Sequence, residues 1–596
     1  YIYLMLKIKK HIPHIFFFAW FLVFLVLGLL RDSLVDENIY IGEAVTISTL
    51  LKDGMWIGDY GVGLHGFLSK LLVGIIYIFT GPSVFVATLV NILFGLFSGV
   101  IFFKILRKNF NLRLIYSLLG VTLLFCSYQF LMYVPTFYRD IGALFFVLLI
   151  LESILSKRSE WLSGIYLLLL LDAKEHVFFS LLPALGIWIL IKEWGSVKNI
   201  FLSGIKLLLP SVVFLVLMFT TSLVPLNIYN ANILGLIEGG LSEMSEGFES
   251  KTATYNQDLQ FNKGVAKTIP LLVGDTDLVK IVNLGLSYIG KIFYPRTFSF
   301  LSIPFLMLVP AVILSWNYLK KWLKEKRKAL VFLSIFLLTY LVIYIVRASL
   351  GRYLLPVAPV IIIFILYFLK DIQREKKYLW ILILTTVFSA VGIYFEYSYL
   401  WVKILATTFL LVPMWVMYFS KRFNKDIFKY ILIIAISLFT AGTSLLGSYT
   451  HGQIGAYLMY GYNRECEKIV ALVDEDERVW INDIGWDRLP FILRGEDVQS
   501  AEWKWSLREW VPKKRMLRQS GSLKTFNFSS RNLDEFENKL LSNDVEKVVF
   551  VDLKKKYSNE KFREADIQDI LEIEILKLEQ KIEMKNKDVY IFEVVK

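Results

Sequence analysis

Again and again along this 596-residue chain, apolar residues run for about twenty positions with few charges. A helix of that length crosses the roughly 30 Å of hydrocarbon in a bilayer. Such runs fall at 11–30, 83–103, 112–134, 140–156, 161–171, 177–191, 201–224, 298–318, 329–346, 353–369, 378–395, 401–419 and 428–448. They predict a polytopic α-helical membrane protein of about 13 transmembrane helices. At 56% apolar and 20% charged residues the chain departs from soluble domains, which excludes a cytosolic multidomain enzyme. The run at 11–30 carries no small-residue cleavage site and reads as a retained span rather than a signal peptide.

A formal charge of +13 invites a nucleic-acid reading, which the distribution of charge removes. Residues 449–596 hold 25 basic and 28 acidic side chains, so the membrane part carries +16 and the tail −3. The positive excess is therefore a topology signal. A further apolar run, 64–80, decides the topology. If it crossed, Lys104, Arg107, Lys108 and Arg113 would face away from Lys7, Lys9 and Lys10. If it lies along the outer surface, these join Lys157 and Arg158, Lys192 and Lys198, and the basic clusters at 320–328, 370–377 and 421–425 on one side. The second arrangement places the N-terminus in the cytoplasm of an integral protein of the cytoplasmic (plasma) membrane. It puts the first loop 31–82, the long loop 225–297, the turns 135–140, 172–176 and 347–352, and the tail on the outer face.

The chain accordingly divides into a transmembrane domain, 1–448, and a soluble extracytoplasmic α/β domain, 449–596. In the tail, Val479-Trp480-Ile481, Val548 to Val551 and Val589 to Phe592 read as buried strands and Asn532 to Leu541 as a helix. Two cysteines, Cys126 and Cys466, exclude a disulfide framework and a four-cysteine zinc site.

Polar chemistry collects on the outer face. Asp36 and Glu37 stand a few residues beyond the first span, before a surface helix predicted over 37–52 with Asp36 as N-cap and Gly54 past its end. An Asp at that position is ordinarily a cap. The setting beside His65 and Lys70 makes it a candidate base as well. Tyr138-Arg139-Asp140, Asp172-Ala173-Lys174-Glu175-His176 and Arg347 to Tyr353 add charge at depths where charge is costly. Each alone reads as a polar turn with snorkelling cations. Together they suit an anionic lipid headgroup, with cations for phosphate and a carboxylate for a proton. A transporter would place ionisable groups nearer the midplane of broken helices, where Glu152 is the nearest candidate.

The Asp-Glu pair after the first span, the surface segment ending in Phe79-Thr80-Gly81, the acid at the start of the fourth span, the short span running into Asp172-Ala173-Lys174, and Arg352-Tyr353-Leu354-Leu355-Pro356-Val357-Ala358-Pro359 resemble, in that order, the GT-C superfamily. The resemblance is to glycosyltransferase family 39, the protein O-mannosyltransferase and aminoarabinose transferase type, over residues 11–370. It implies a membrane hexosyl or pentosyl transferase that moves a sugar, with inversion, from a polyprenyl-phosphate donor to a hydroxyl of a glycan, lipid or protein acceptor on the outer face. It further implies Asp36 as catalytic base with Glu37 beside it. Donor phosphate would be held by Lys174, Arg352, Arg347 and His65, the last standing where relatives often carry Lys-Pro-Pro. Asp140, Arg139 and Tyr353 would position substrate. No cofactor is expected. A divalent cation, which other GT-C enzymes use, would find oxygen ligands in Asp36, Glu37 and Asp140. Two other readings remain at this level: a lipid or polysaccharide transporter, and a non-catalytic GT-C relative whose tail binds a glycan.

Overall fold

The computed structural model describes residues 2–30, 35–54, 66–125, 127–220, 327–347, 351–372, 479–481, 537–538, 540–541, 545–553, 567–583 and 587–595. Ten helices run through the first block: α1 (Ile2–Leu30), α2 (Val35–Lys52), α3 (Phe67–Thr80), α4 (Val84–Lys104), α5 (Leu114–Phe125), α6 (Tyr128–Tyr133), α7 (Arg139–Leu155), α8 (Glu160–Ala173), α9 (Glu175–Lys192) and α10 (Val197–Thr220). Two more follow, α11 (Arg327–Arg347) and α12 (Ala358–Ile372). Among the described residues four helices are long and apolar enough to cross a membrane, within α1, α4, α9 and α10. The chain is a helical membrane protein with several apolar helices and a small C-terminal β-sheet.

Three runs depart from the spacing expected of them. The run 112–134 is two helices, because the Ser127 hydroxyl and amide both bond the Leu124 carbonyl, at 2.8 and 3.2 Å, and end α5 there. The run 353–369 opens as a 3₁₀ segment, Gly351–Val357, and becomes α-helical at Ala358. Pro356 and Pro359 enforce this, since proline is tolerated in the first turn of an α-helix and not further in. Helix α2 starts at Val35, so Asp36 lies in its first turn rather than at the N-cap. Gly54 does follow its end, in the left-handed region at φ 66°. Helix α3, with 14 residues, is about 21 Å long. It packs on α2. The predicted spans at 298–318, 378–395, 401–419 and 428–448 lie outside the described residues.

In the tail, β1 (Val479–Ile481), β2 (Lys547–Leu553), β3 (Leu576–Glu583) and β4 (Lys587–Val594) form one sheet in the order β1-β2-β4-β3. β1 pairs parallel with β2, and β4 lies antiparallel to both its neighbours. The short helix α13 (Ile567–Leu571) and Leu540 pack Ile570 and Leu540 against Val548, Phe550 and Phe592. The strands at 479–481, 548–551 and 589–592 are those the apolar runs predict. Strand β3 is one they do not, because its sequence Leu-Lys-Leu-Glu-Gln-Lys-Ile-Glu is half charged and a bulge between Leu578 and Gln580 breaks its alternation.

The helices are tied by close backbone approach and by single hydrogen bonds. Rings of Trp20 and Phe24 on α1 meet Phe125 and Phe130 at centroid distances of 5.1–5.7 Å. Thr339 on α11 donates at 2.7 Å to the Ser180 carbonyl on α9, three residues before Pro183. Helix α8 lies against α10 at Gly164, where a Cβ would stand 2.7 and 2.8 Å from the carbonyl oxygens of Lys206 and Leu207. Such small-residue contacts hold helices together where lipid offers no hydrophobic drive. Replacing Gly164 with alanine is expected to force α8 off α10 and to lower stability by about 1–3 kcal/mol, read as a lower thermal-unfolding midpoint in detergent. The same change at Gly186, which has nothing within 4 Å, is expected to leave it unchanged.

Candidate functional site

The polar groups of the first loop, the turn before α7 and the end of α8 come together around one cavity. Helix α2 carries Glu37, Tyr40 and Glu43 on three successive turns. Glu37 is fully buried and accepts the Phe137 amide at 2.6 Å. Tyr40 lines the cavity. Glu43, buried in turn, pairs with Lys70 of α3. The turn at 133–138 is held from its other side by Asn91 of α4, whose amide donates to the carbonyls of Thr136, Tyr138 (2.8 Å) and Tyr133 (3.4 Å). An asparagine buried in an apolar helix is thereby satisfied, and the turn that launches α7 is fixed from two directions.

Asp172 does the equivalent work at the end of α8. Helix α3 begins at Gly66, with φ 72° and no side-chain cap of its own. The first free amides of a helix need acceptors. Here the Asp172 carbonyl takes the Gly66 amide at 2.8 Å and its Oδ2 takes the Leu68 amide at 3.1 Å. A side chain at Gly66 would meet the Arg139 methylenes at 2.7 Å, so the left-handed turn and the close approach both select glycine. The other oxygen of Asp172, Oδ1, is buried with no hydrogen-bond partner among the described residues, in the field of Lys70 and Arg139.

Arg139 crosses the site. Its Nε donates to the Tyr40 hydroxyl at 3.3 Å, its Nη1 to the Ala173 carbonyl at 3.4 Å, and its guanidinium lies 5.3 Å from the Tyr40 ring centroid. Next to it, Asp140 and Lys174 form a buried ion pair. The cavity has a volume of about 160 Å³ and is lined by Tyr40, Lys70, Asn91, Tyr138, Arg139 and Asp172 among others.

The residues singled out from sequence thus fall into groups. Glu37, Arg139, Asp140 and Lys174 are brought together. Asp36 stands one position before Glu37 in α2. Arg352 and Tyr353 lie in the 3₁₀ segment, which packs against α7, and Arg347 closes α11. His65 lies outside the described residues. Among the described residues no three His, Cys, Asp or Glu gather as a metal site. Sequence pattern does not mark Tyr40, Glu43 or Asn91, and it marks Asp172 only as part of a charged turn. Asn91 is legible in retrospect as the one amide within the apolar run Val84–Phe103.

The sequence matches no protein-family model and no curated protein. The fold is similar to crystal structures of ArnT from Cupriavidus metallidurans. To the form bound to undecaprenyl phosphate the TM-score is 0.55, with 14% identity and 98% of each chain covered. To the apo form it is 0.57, with the same identity and coverage.

Two outcomes follow from the tethers. Asp172→Ala is expected to expose the Leu68 amide and cost about 0.5–2 kcal/mol, as loss of a cap does, read as faster hydrogen exchange at Leu68 and a lower unfolding midpoint. Asp140→Leu alone leaves a buried ammonium and is expected to cost about 3–5 kcal/mol, much of it recovered in Asp140→Leu/Lys174→Met, where neither charge remains.

Proposed function

We propose that this chain is a GT-C membrane glycosyltransferase that moves a sugar from a polyprenyl-phosphate donor to an acceptor hydroxyl with inversion. The observation that carries the reading is the likeness in fold, over 98% of both chains, to ArnT bound to undecaprenyl phosphate. Polyprenyl phosphate is what such a donor becomes once its sugar has left. The cavity between α2, α3, α7 and α8 supports it, because cationic Lys70 and Arg139 and the carboxylate of Asp172 line one space.

In this reading the acceptor oxygen attacks the anomeric carbon from the face opposite the phosphate. The bond from that carbon to the phosphate oxygen breaks, and the acceptor proton passes to Asp36. One displacement inverts the centre. The departing phosphate gains almost a full negative charge and needs no proton, so the chemistry calls for cations rather than an acid. Arg139 suits this best: it lines the cavity, makes no ion pair among the described residues, and two of its three nitrogens are already oriented by Tyr40 and Ala173. Lys174, Arg347, Arg352 and His65 would share the phosphate, with Asp140 orienting Lys174 and Tyr353 positioning substrate. Glu37, bonded to the Phe137 amide, would support Asp36 by fixing the first turn of α2 against the turn before α7. The topology of about 13 spans, with the cytoplasmic N-terminus and the site and residues 449–596 on the outer face, belongs to the same proposal.

The test is incubation of purified protein with a panel of polyprenyl-phosphate sugars, reading polyprenyl phosphate release by mass spectrometry. At least one donor is expected to turn over, and Asp36→Asn is expected to lower the rate by about 10²–10⁴-fold while leaving thermal unfolding unchanged. Full activity in Asp36→Asn would remove Asp36 as the base.

A further inference from the structure

At the far end of the same helices the charges gather differently. Helix α7 has 17 residues, so its C-terminus lies about 25 Å from Arg139. There the end of α7, the start of α8, the end of α9 and the start of α10 enclose a second cavity of about 300 Å³. We propose that it binds an anionic phospholipid, with Lys157, Arg158 and Lys192 around the headgroup phosphate.

Four observations converge. The first is a surplus of cations. Glu152 is shared by Lys104 at 2.7 Å and Arg158 at 3.0 Å, and Lys192 lies between Glu160 and Glu193. Lys206 adds its field at Glu160. Lys157, exposed in a left-handed turn at φ 54°, has no side-chain hydrogen bond or ion pair among the described residues. Five cations therefore face three carboxylates, leaving charge for a phosphate. The second is the shape of the lining. Leu185, Trp188, Ile189 and Leu207 form an apolar wall behind that polar rim, a division that fits an amphiphile and not a free ion.

The third is what lies beside the cavity. Helix α10 leads away with Phe201, Leu208, Leu209, Val212 and Val216 exposed, a lipid-facing stripe along which acyl chains can continue. The fourth is depth. Trp194, 84% exposed between Lys192 and Lys198, is the aromatic-and-basic pairing that marks headgroup level. Basic pockets between transmembrane helices are the general form of anionic-lipid sites, and the positive-inside topology puts this one on the leaflet where such lipids face Lys and Arg.

The experiment is native mass spectrometry of the full chain titrated with phosphatidylglycerol, phosphatidylcholine or inorganic phosphate. Phosphatidylglycerol is expected to be retained at least about fivefold more tightly than phosphatidylcholine. Lys157→Gln, which breaks no side-chain hydrogen bond or ion pair among the described residues, is expected to weaken that binding about fivefold, and Lys157→Gln/Arg158→Gln about 25-fold. Lys198→Gln, exposed at the same end and outside the cavity, is expected to leave it unchanged. Equal retention of the two lipids, parental binding by both Lys157 variants, or an equal loss in Lys198→Gln would overturn the proposal. Inorganic phosphate binding as tightly as phosphatidylglycerol would overturn the lipid in favour of the free anion.

Discussion

Five carboxylates are buried in the described helices, and each meets a donor from another element, because an ionised oxygen taken out of water without one costs several kcal/mol. Glu43 takes Lys70, joining α2 to α3. Asp172 takes the Leu68 amide, joining α8 to α3. Asp140 takes Lys174, joining α7 to the junction of α8 and α9. Glu37 takes the Phe137 amide, joining α2 to the turn that precedes α7. These four contacts close a ring, α2 to α3 to α8 to α7 and back to α2, with the cavity at its centre. The fifth, Glu152, fastens α7 to α4 at the opposite end. Packing of Leu and Phe holds such helices at the right distance, and the buried charges fix which turn meets which.

This division of labour explains what could be read from the sequence. Apolar runs and their lengths locate α4, α7, α9 and α10 to within a few residues, and the end of α1 though not its start at Ile2, because burial in lipid is a property of each segment alone. The ends of Pro-rich or Ser-containing runs are harder. Ser127 closes α5 through its own hydroxyl, and whether a serine does so depends on what else competes for it. Partners of buried acids are harder still. Asp172 and Leu68 are 104 positions apart, and Glu37 and Phe137 are 100. Nothing local distinguishes an Asp-Glu pair in which one member is anchored from a pair in which both are free. Charge bookkeeping bears on sidedness and not on contact: it reads 64–80 as a segment that does not cross, and the docking of α3 on α2 is outside its reach.

The two ends of α7 and α8 use charge in contrasting ways. Around the first cavity, two buried acids take lysines and two take backbone amides, so that lysine charge there is largely internal and orients structure. Around the second, carboxylates are outnumbered and the cations stand near the surface. A ring of matched pairs gives rigidity without a strong field, and an unmatched rim gives a field without rigidity. Different ligands suit each: a reacting group that must be held within fractions of an ångström, and a headgroup that needs only to be retained.

Arg139 is the exception within the first cavity, and the exception has a consequence. It is held by a phenol and a carbonyl, both neutral, so its positive charge is oriented without a carboxylate bonded to it, although Asp140, Asp172 and Glu175 act on it at longer range. Had the ring ended on a carboxylate at that position, the guanidinium would arrive already neutralised. A departing phosphate would then have to compete with the protein for it. Neutral tethers avoid that competition, and the ring of buried pairs around them keeps the guanidinium from relaxing toward water. For a reaction in which negative charge grows on a leaving group, a fixed cation whose donors are not already bonded to a carboxylate is the arrangement that favours the transition state over the ground state.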